Sequence, residues 1–187
     1  PTTTLPLAAL MLDSVPVDAR WTLVHATHLD EEEVRDIAGS GATVAICTTT
    51  EANLGDGLFP LRDYLDAGGR WGVGSDSNSS VDPVEELRWL EYGQRLRAQR
   101  RNIASSMRVP SVGATLLDGV HASAADSTGF AAEDRIVLDA DAAILAGATE
   151  ADVVDRWLFS GNRPLVRDVE INGVRVVEDG RHRDRDA

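Results

Sequence analysis

The sequence predicts an α/β fold in which a parallel sheet with crossing helices is followed by a smaller β-rich portion. Three observations predict it. Short apolar runs at residues 21–24, 43–47 and 71–74 do not alternate with polar residues, the pattern of strands buried on both faces. Helical patterns fill the gaps, so the order is β-α-β-α-β-α with about 22 to 28 residues between strand starts, which implies parallel strands and right-handed crossovers. Near the end, two alternating runs flank Asn172-Gly173, the strongest short hairpin signal.

Taken in order, the first strand leads to Asp30, which can cap "EEEVRDIAGSG", with acids in the first turn and Gly41 just past the end. Pro60 opens "LRDYLDAGG", which Gly68-Gly69 closes. After the third strand, Asp82 as N-cap and Pro83 at the first helical position start a long helix. Val84, Leu87, Leu90 and Tyr92 supply its apolar face, and arginines crowd its far end. Residues 105–129 are small and polar, with one helix expected near 112–122. "RIVLDAD" reads as a strand, Thr149 as the cap of a helix running to about Arg156, and "VRDVEINGVRVVED" as the hairpin. The tail "GRHRDRDA" is expected to fray. A boundary near residue 130 divides the chain into an α/β portion, 1–129, and a small β-rich portion, 130–187. No internal repeat appears.

Composition excludes several functions. The 187 residues are 43% hydrophobic, enough for the core of one domain or one and a half. A formal charge of −13 argues against nucleic acid or an anionic membrane as partner, since both require a positive surface. All 18 basic residues are arginine, so no lysine is present to form a Schiff base or a carbamylated metal bridge. The single cysteine, Cys47, excludes an intrachain disulfide and fits a reducing compartment. Without a signal peptide or an apolar run near 18 residues, a cytoplasmic location is expected. The chain begins at Pro1, which removal of an initiator methionine would also produce.

In parallel α/β architectures, functional residues gather where strands end and helix N-termini point. Here those ends carry His25-Ala-Thr-His28, Cys47-Thr-Thr-Thr-Glu51-Ala-Asn53 and Ser75-Asp76-Ser77-Asn78. Two histidines and an aspartate there can make a metal or acid–base site, because a carboxylate can bind Zn²⁺ and also accept a proton from water. Blander readings compete: Asp76 as a turn cap and His25 as a satisfied core residue. His28, three residues on, would face the other side of a strand and is read as structural. His121 and His182 are read as incidental, and Cys47 as a small buried residue. The cluster Arg95, Arg97, Arg100 and Arg101 is read as a solvated helix end.

At these residues the sequence resembles a known family. "LVHATHLDEEE", "TTEANLGDG" and "GRWGVGSDSNSSVDPVEELRWLEYGQRLRAQRRN" resemble N-formimino-L-glutamate deiminases of the amidohydrolase superfamily. The match is dense over residues 21–102, looser to Asn162, and recovers in "VRDVEINGVRVVEDGRH". The resemblance implies the carboxyl-terminal portion of a TIM-like (β/α)₈ barrel plus strands of a small β-domain. It implies hydrolysis of the formimino C=N bond of the small-molecule substrate, giving N-formyl-L-glutamate and ammonia, with one divalent metal, usually Zn²⁺. Asp76 matches the last-strand aspartate that ligates the metal and shuttles protons. His25 matches the sixth-strand histidine that contacts the reacting centre. A homodimer is also implied.

The departures point the other way. The family's first-strand His-x-His pair and its fifth-strand histidine and glutamate have no counterpart here, and Thr48 stands where the family carries proline. Three strands cannot close a barrel that needs eight. The expectation is therefore part of a longer enzyme, inactive as 187 residues alone, with the remaining metal ligands upstream. Two alternatives stay open: a deaminase of guanine, cytosine or a similar substrate, and a non-catalytic half-barrel that acts by association.

Overall fold

The computed structural model describes residues 7–130 and 134–185. Helix α1 (Leu7–Ser14) leads to strand β1 (Thr22–Val24), followed by α2 (Glu31–Ser40) and β2 (Thr43–Ile46). Helices α3 (Thr48–Leu54) and α4 (Leu61–Asp66) connect β2 to β3 (Arg70–Val73), and α5 (Pro83–Ala98) and α6 (Val112–Thr128) follow. The three strands form one parallel sheet in the order β1-β2-β3, with Leu23 opposite Val44 and Val44 opposite Trp71. The second part holds β4 (Arg135–Leu138), a 3₁₀ turn at Ala143–Leu145, α7 (Val153–Phe159), β5 (Val166–Ile171), β6 (Val174–Glu178) and β7 (Arg181–His182). Strands β4 to β7 form an antiparallel sheet in chain order. The α/β expectation, with a parallel sheet and a small separate β-sheet, holds.

Local signals explain the well-read elements. The Asp30 carboxylate accepts from the Glu32 and Glu33 amides while Glu33 accepts the Asp30 N–H, a complete capping box, and Gly41 ends α2 at φ 77°. Asp82 caps α5 by accepting from Val84 N–H at 2.9 Å, with Pro83 behind it. Asn172 and Gly173 take φ 50° and 75°, the two left-handed positions that a two-residue hairpin turn requires.

Helices α4, α5 and α6 cover the sheet. Trp71, Tyr64, Phe59, Ile46, Leu90 and Leu116 are almost fully buried between them. Buried carboxylates fasten the layers. Glu91 of α5 accepts from Ile103 N–H at 2.9 Å, Ala104 N–H at 3.0 Å and Arg95 at 2.7 Å. Glu86 accepts the Thr48 hydroxyl at 2.9 Å and Thr49 N–H at 3.0 Å, which locks the start of α3 against α5. Thr48 thus uses its hydroxyl as a fastening point.

Several expectations are corrected. Of the three strands β2 is the most buried, with Thr43, Val44 and Ile46 buried and Ala45 half-buried; β1 is an outer strand with Val24 exposed, because nothing pairs with its far edge among the described residues. Residues 48–54, to which the sequence reading assigns no helix, form α3. Helix α6 runs to Thr128 rather than 122, carried past its polar stretch by Ser127 and Thr128 hydroxyls that donate to carbonyls one turn back. Asp152, not Thr149, precedes α7, and the Thr149 amide and hydroxyl both donate to its carboxylate. The tail does not fray through Arg185: β7 pairs with β6, and residues 186–187 lie outside the described residues. Arg95 is not a solvated helix end; it bonds to Glu91 and lies over the rings of Tyr92 and Phe159.

Candidate active site

The three parallel strands end on one rim. His25 N–H still donates to Ala45 O and Gly74 N–H to Ile46 O, so the ladder reaches one residue past β1 and β3. There the chain turns sharply: His25, Ala26 and Asp76 adopt φ 69°, 54° and 48°. Left-handed backbone at a residue other than glycine costs roughly 1–3 kcal/mol, and such residues cluster at functional sites. Beyond Asp76, Asn78 N–H donates to Ser75 O, Ser80 N–H donates to the Asn78 side chain, and the Thr50 hydroxyl donates to Ser75 O. The polar stretch before α5 is therefore a fastened loop at the mouth of the sheet.

His25 and Asp76 lie two strands apart, a backbone separation of about 10 Å, yet their side chains meet over the end of β2. His25 Nε2 is 4.0 Å from Asp76 Oδ2, and both side chains keep close to 40% exposure, open to solvent. The other ring nitrogen, Nδ1, lies 3.3 Å from Glu51 Oε1. Glu51 is buried in the first turn of α3, where Oε1 also accepts Cys47 N–H at 2.9 Å. Its Oε2 is buried with no hydrogen-bond partner among the described residues. Burial raises the Glu51 carboxyl above the usual range, opposed by the Cys47 N–H and His25.

Cys47 completes a close group, with donor atoms of His25, Cys47 and Glu51 within 4.8 Å of one another. Burial, and then the charges of Glu51, Asp76 and Glu86, push its thiol up to about 11. A thiol held so high is no nucleophile near neutrality, in agreement with its reading as a packing residue. His28 sits exposed in a turn next to Gly57, on the surface because the strand has already ended and not because of strand alternation. His121 and His182 lie exposed on α6 and β7, elsewhere in the fold.

Of the residues singled out by sequence, the fold brings His25 and Asp76 together. Glu51, which it places against His25, had no assigned role. Its signal was present: a helix beginning right after Cys47 puts residue 51 one turn on, with Glu51 N–H donating to Cys47 O, and Gly55 closes that helix at φ 77°. The Asp76 carboxylate accepts no hydrogen bond among the described residues and faces solvent, so as a hard oxygen donor it fits one ligand position of a divalent cation. The described residues supply no full ligand set around it.

Comparison with known proteins identifies relatives of the chain. The chain is 48% identical over 180 residues to a formimidoylglutamate deiminase of Pseudomonas aeruginosa, covering 92% of the chain and 40% of that protein. It is 29% identical over 176 residues to a 5-methylthioadenosine/S-adenosylhomocysteine deaminase of Natronomonas pharaonis, covering 88% of the chain and 39% of that protein. Among solved structures, an amidohydrolase from Brucella melitensis superposes with TM-score 0.88 at 41% identity, over 96% of the chain and 41% of its own. An adenosine deaminase from Xanthomonas campestris with bound zinc superposes with TM-score 0.81 at 23% identity, over 99% of the chain and 43% of its own, a likeness of fold alone. The chain thus spans about two fifths of the length of these relatives. Residues 2–112, more than half of the chain, match the model of the Amidohydrolase family, and the chain belongs to that family.

Proposed function

We propose that this chain forms part of an N-formimino-L-glutamate deiminase, hydrolysing the formimino C=N bond to release ammonia and N-formyl-L-glutamate. The observation that carries the reading is the His25–Asp76 pair meeting at 4.0 Å over the rim of the parallel sheet. The 48% identity to a formimidoylglutamate deiminase supports the choice of substrate. Asp76 would hold a divalent cation, zinc by analogy with the zinc-bound relative, together with ligands contributed by sequence outside these 187 residues. Such a cation supplies Lewis-acid chemistry and brings the pKa of water towards neutrality.

The chain's own residues then have separate tasks. The free oxygen of Asp76 would accept a proton from the attacking water and pass it to the departing nitrogen, and the remaining hydroxyl proton follows by the same oxygen as the C–N bond breaks, so that the nitrogen leaves as ammonia. His25 Nε2 faces the same space and can hydrogen-bond the attacking water or an N–H of the reacting centre. The complete enzyme is read as a cytoplasmic homodimer.

The test is ammonia release from N-formimino-L-glutamate by the complete zinc-loaded enzyme, with 5-methylthioadenosine, guanine and cytosine assayed in parallel. Turnover of N-formimino-L-glutamate above the others is expected; preference for a purine or pyrimidine would replace this reading with another deaminase. The 187-residue chain alone should release no ammonia, because one aspartate cannot hold zinc at three or four coordinates.

A further inference from the structure

We propose that Glu51 is a positioning residue for His25: its Oε1 accepts the Nδ1 hydrogen of the imidazole, leaving Nε2 as an open lone pair directed at the Asp76 side of the site. The importance of that lone pair to the reaction rests on the function proposed above.

Two nitrogens converge on one oxygen. Cys47 N–H lies 2.9 Å from Glu51 Oε1 and can only donate, so Oε1 is an acceptor. His25 Nδ1 lies 3.3 Å from the same atom. If Glu51 is ionised, Oε1 has a second lone pair for Nδ1–H. If Glu51 is protonated on the unpartnered Oε2, Oε1 remains a carbonyl oxygen that accepts. Both of these states of the acid select the same tautomer of the imidazole, whereas a hydrogen on Oε1 would be given to Nδ1 and select the other. The two ring nitrogens of a histidine are distinct, and the hydrogen bond made by one decides what the other offers.

The acid is itself held still. It sits in the first turn of α3 with only 2% of its surface exposed, its own amide bonded to Cys47 O, and α3 is locked to α5 through Glu86. Among the described residues the one other carboxylate near the ring, Asp76, lies on the Nε2 side at 4.0 Å, beyond hydrogen-bond reach. The left-handed backbone at His25 is thus accompanied by a fixed ring orientation.

The experiment is long-range proton–nitrogen NMR on the metal-free 187-residue chain labelled with ¹⁵N-histidine, at a pH where the imidazoles are neutral, with His25→Gln identifying the signal. We expect a protonated Nδ1 and a bare Nε2 at His25. Glu51→Ala should move the population towards the Nε2–H form that free histidine favours, and Glu51→Gln, whose side-chain carbonyl still accepts, should restore the original pattern. In the complete zinc-loaded enzyme, Glu51→Ala should lower kcat by about 10- to 100-fold with KM little moved. A wild-type His25 carrying its hydrogen on Nε2 overturns the proposal, as does a folded Glu51→Ala chain with an unchanged pattern. If Glu51→Ala does not fold, the wild-type pattern and the Gln variant decide. Absence of turnover of N-formimino-L-glutamate by the wild-type enzyme overturns the function and leaves the tautomer result standing.

Discussion

His25 lies between a carboxylate open to solvent and one that is sealed, and the difference in exposure separates their roles. Asp76 can meet a cation, water or substrate; Glu51, at 2% exposure, can meet only what the fold brings to it. Asp76→Asn keeps the shape and removes the charge. It should reduce activity of the complete enzyme by at least about 100-fold and lower its zinc content, read by metal analysis of the purified protein, while the circular dichroism spectrum stays unchanged. Retained zinc and retained turnover would remove Asp76 from the site. At this scale the sequence was legible for the two residues at strand ends, because strand ends in a parallel sheet are readable from apolar runs. Glu51 escaped because its position depends on a helix whose first turn carries three threonines and has no side-chain cap to announce it.

The elements differ in how they are held, and two predictions separate the modes. A Cβ at Gly113 of α6 would lie 2.8 Å from the Asp155 backbone nitrogen of α7, whereas one at Gly39 of α2 would meet nothing within 4 Å. Gly113→Ala should therefore destabilise the chain by about 1–3 kcal/mol, and Gly39→Ala should stabilise it by about 0.5–1 kcal/mol, both read from urea denaturation. Equal effects would mean that α6 and α7 do not pack as closely as described. At the start of α7, the Thr149 amide and hydroxyl, joined by Arg156, hold the Asp152 carboxyl at about 2, below the ordinary value of about 3.9. A lowered carboxyl pKa stabilises the fold above the unfolded value, so this contribution is complete above about pH 4 and is lost as the pH falls towards 2. Asp152→Asn should weaken the fold at pH 7 and flatten the loss of stability between pH 4 and pH 2; an identical acid limb in both proteins would show that the pairing does not operate in solution. Helices with side-chain caps, α2 and α5, were legible from sequence, since a cap is a local signal. The far end of α6 and the start of α7 were misjudged, where side-chain hydroxyl bonds to the neighbouring turn and packing between the helices decide the boundary.

At the scale of the molecule, the parallel sheet stops at three strands, with β1 and β3 each lacking a neighbour on one side among the described residues. Such edges pair readily with another chain. Exposed Val24 and Trp21 lie at the β1 end, while the charge of −13 opposes association at low salt. The isolated chain should therefore associate with rising concentration, more so as salt screens that charge, read by analytical ultracentrifugation. A monomer at every concentration and salt level would mean that the sheet edges are protected. Among the described residues no helix is long and apolar enough to cross a membrane.

By itself, the sequence determined the α/β class, the parallel order of the first three strands, the capped helices, the hairpin at Asn172-Gly173 and the candidacy of His25 and Asp76. Each of these rests on local information: apolar runs, cap residues, and the two-residue turn that only left-handed backbone can make. Tertiary structure alone decided that side chains from strands two apart meet over β2, that Glu51 reaches back beneath them, and that β1 is an exposed edge. Those outcomes depend on how far the strands are spaced and on which layers cover them, and neither quantity is written in the neighbours of a residue along the chain.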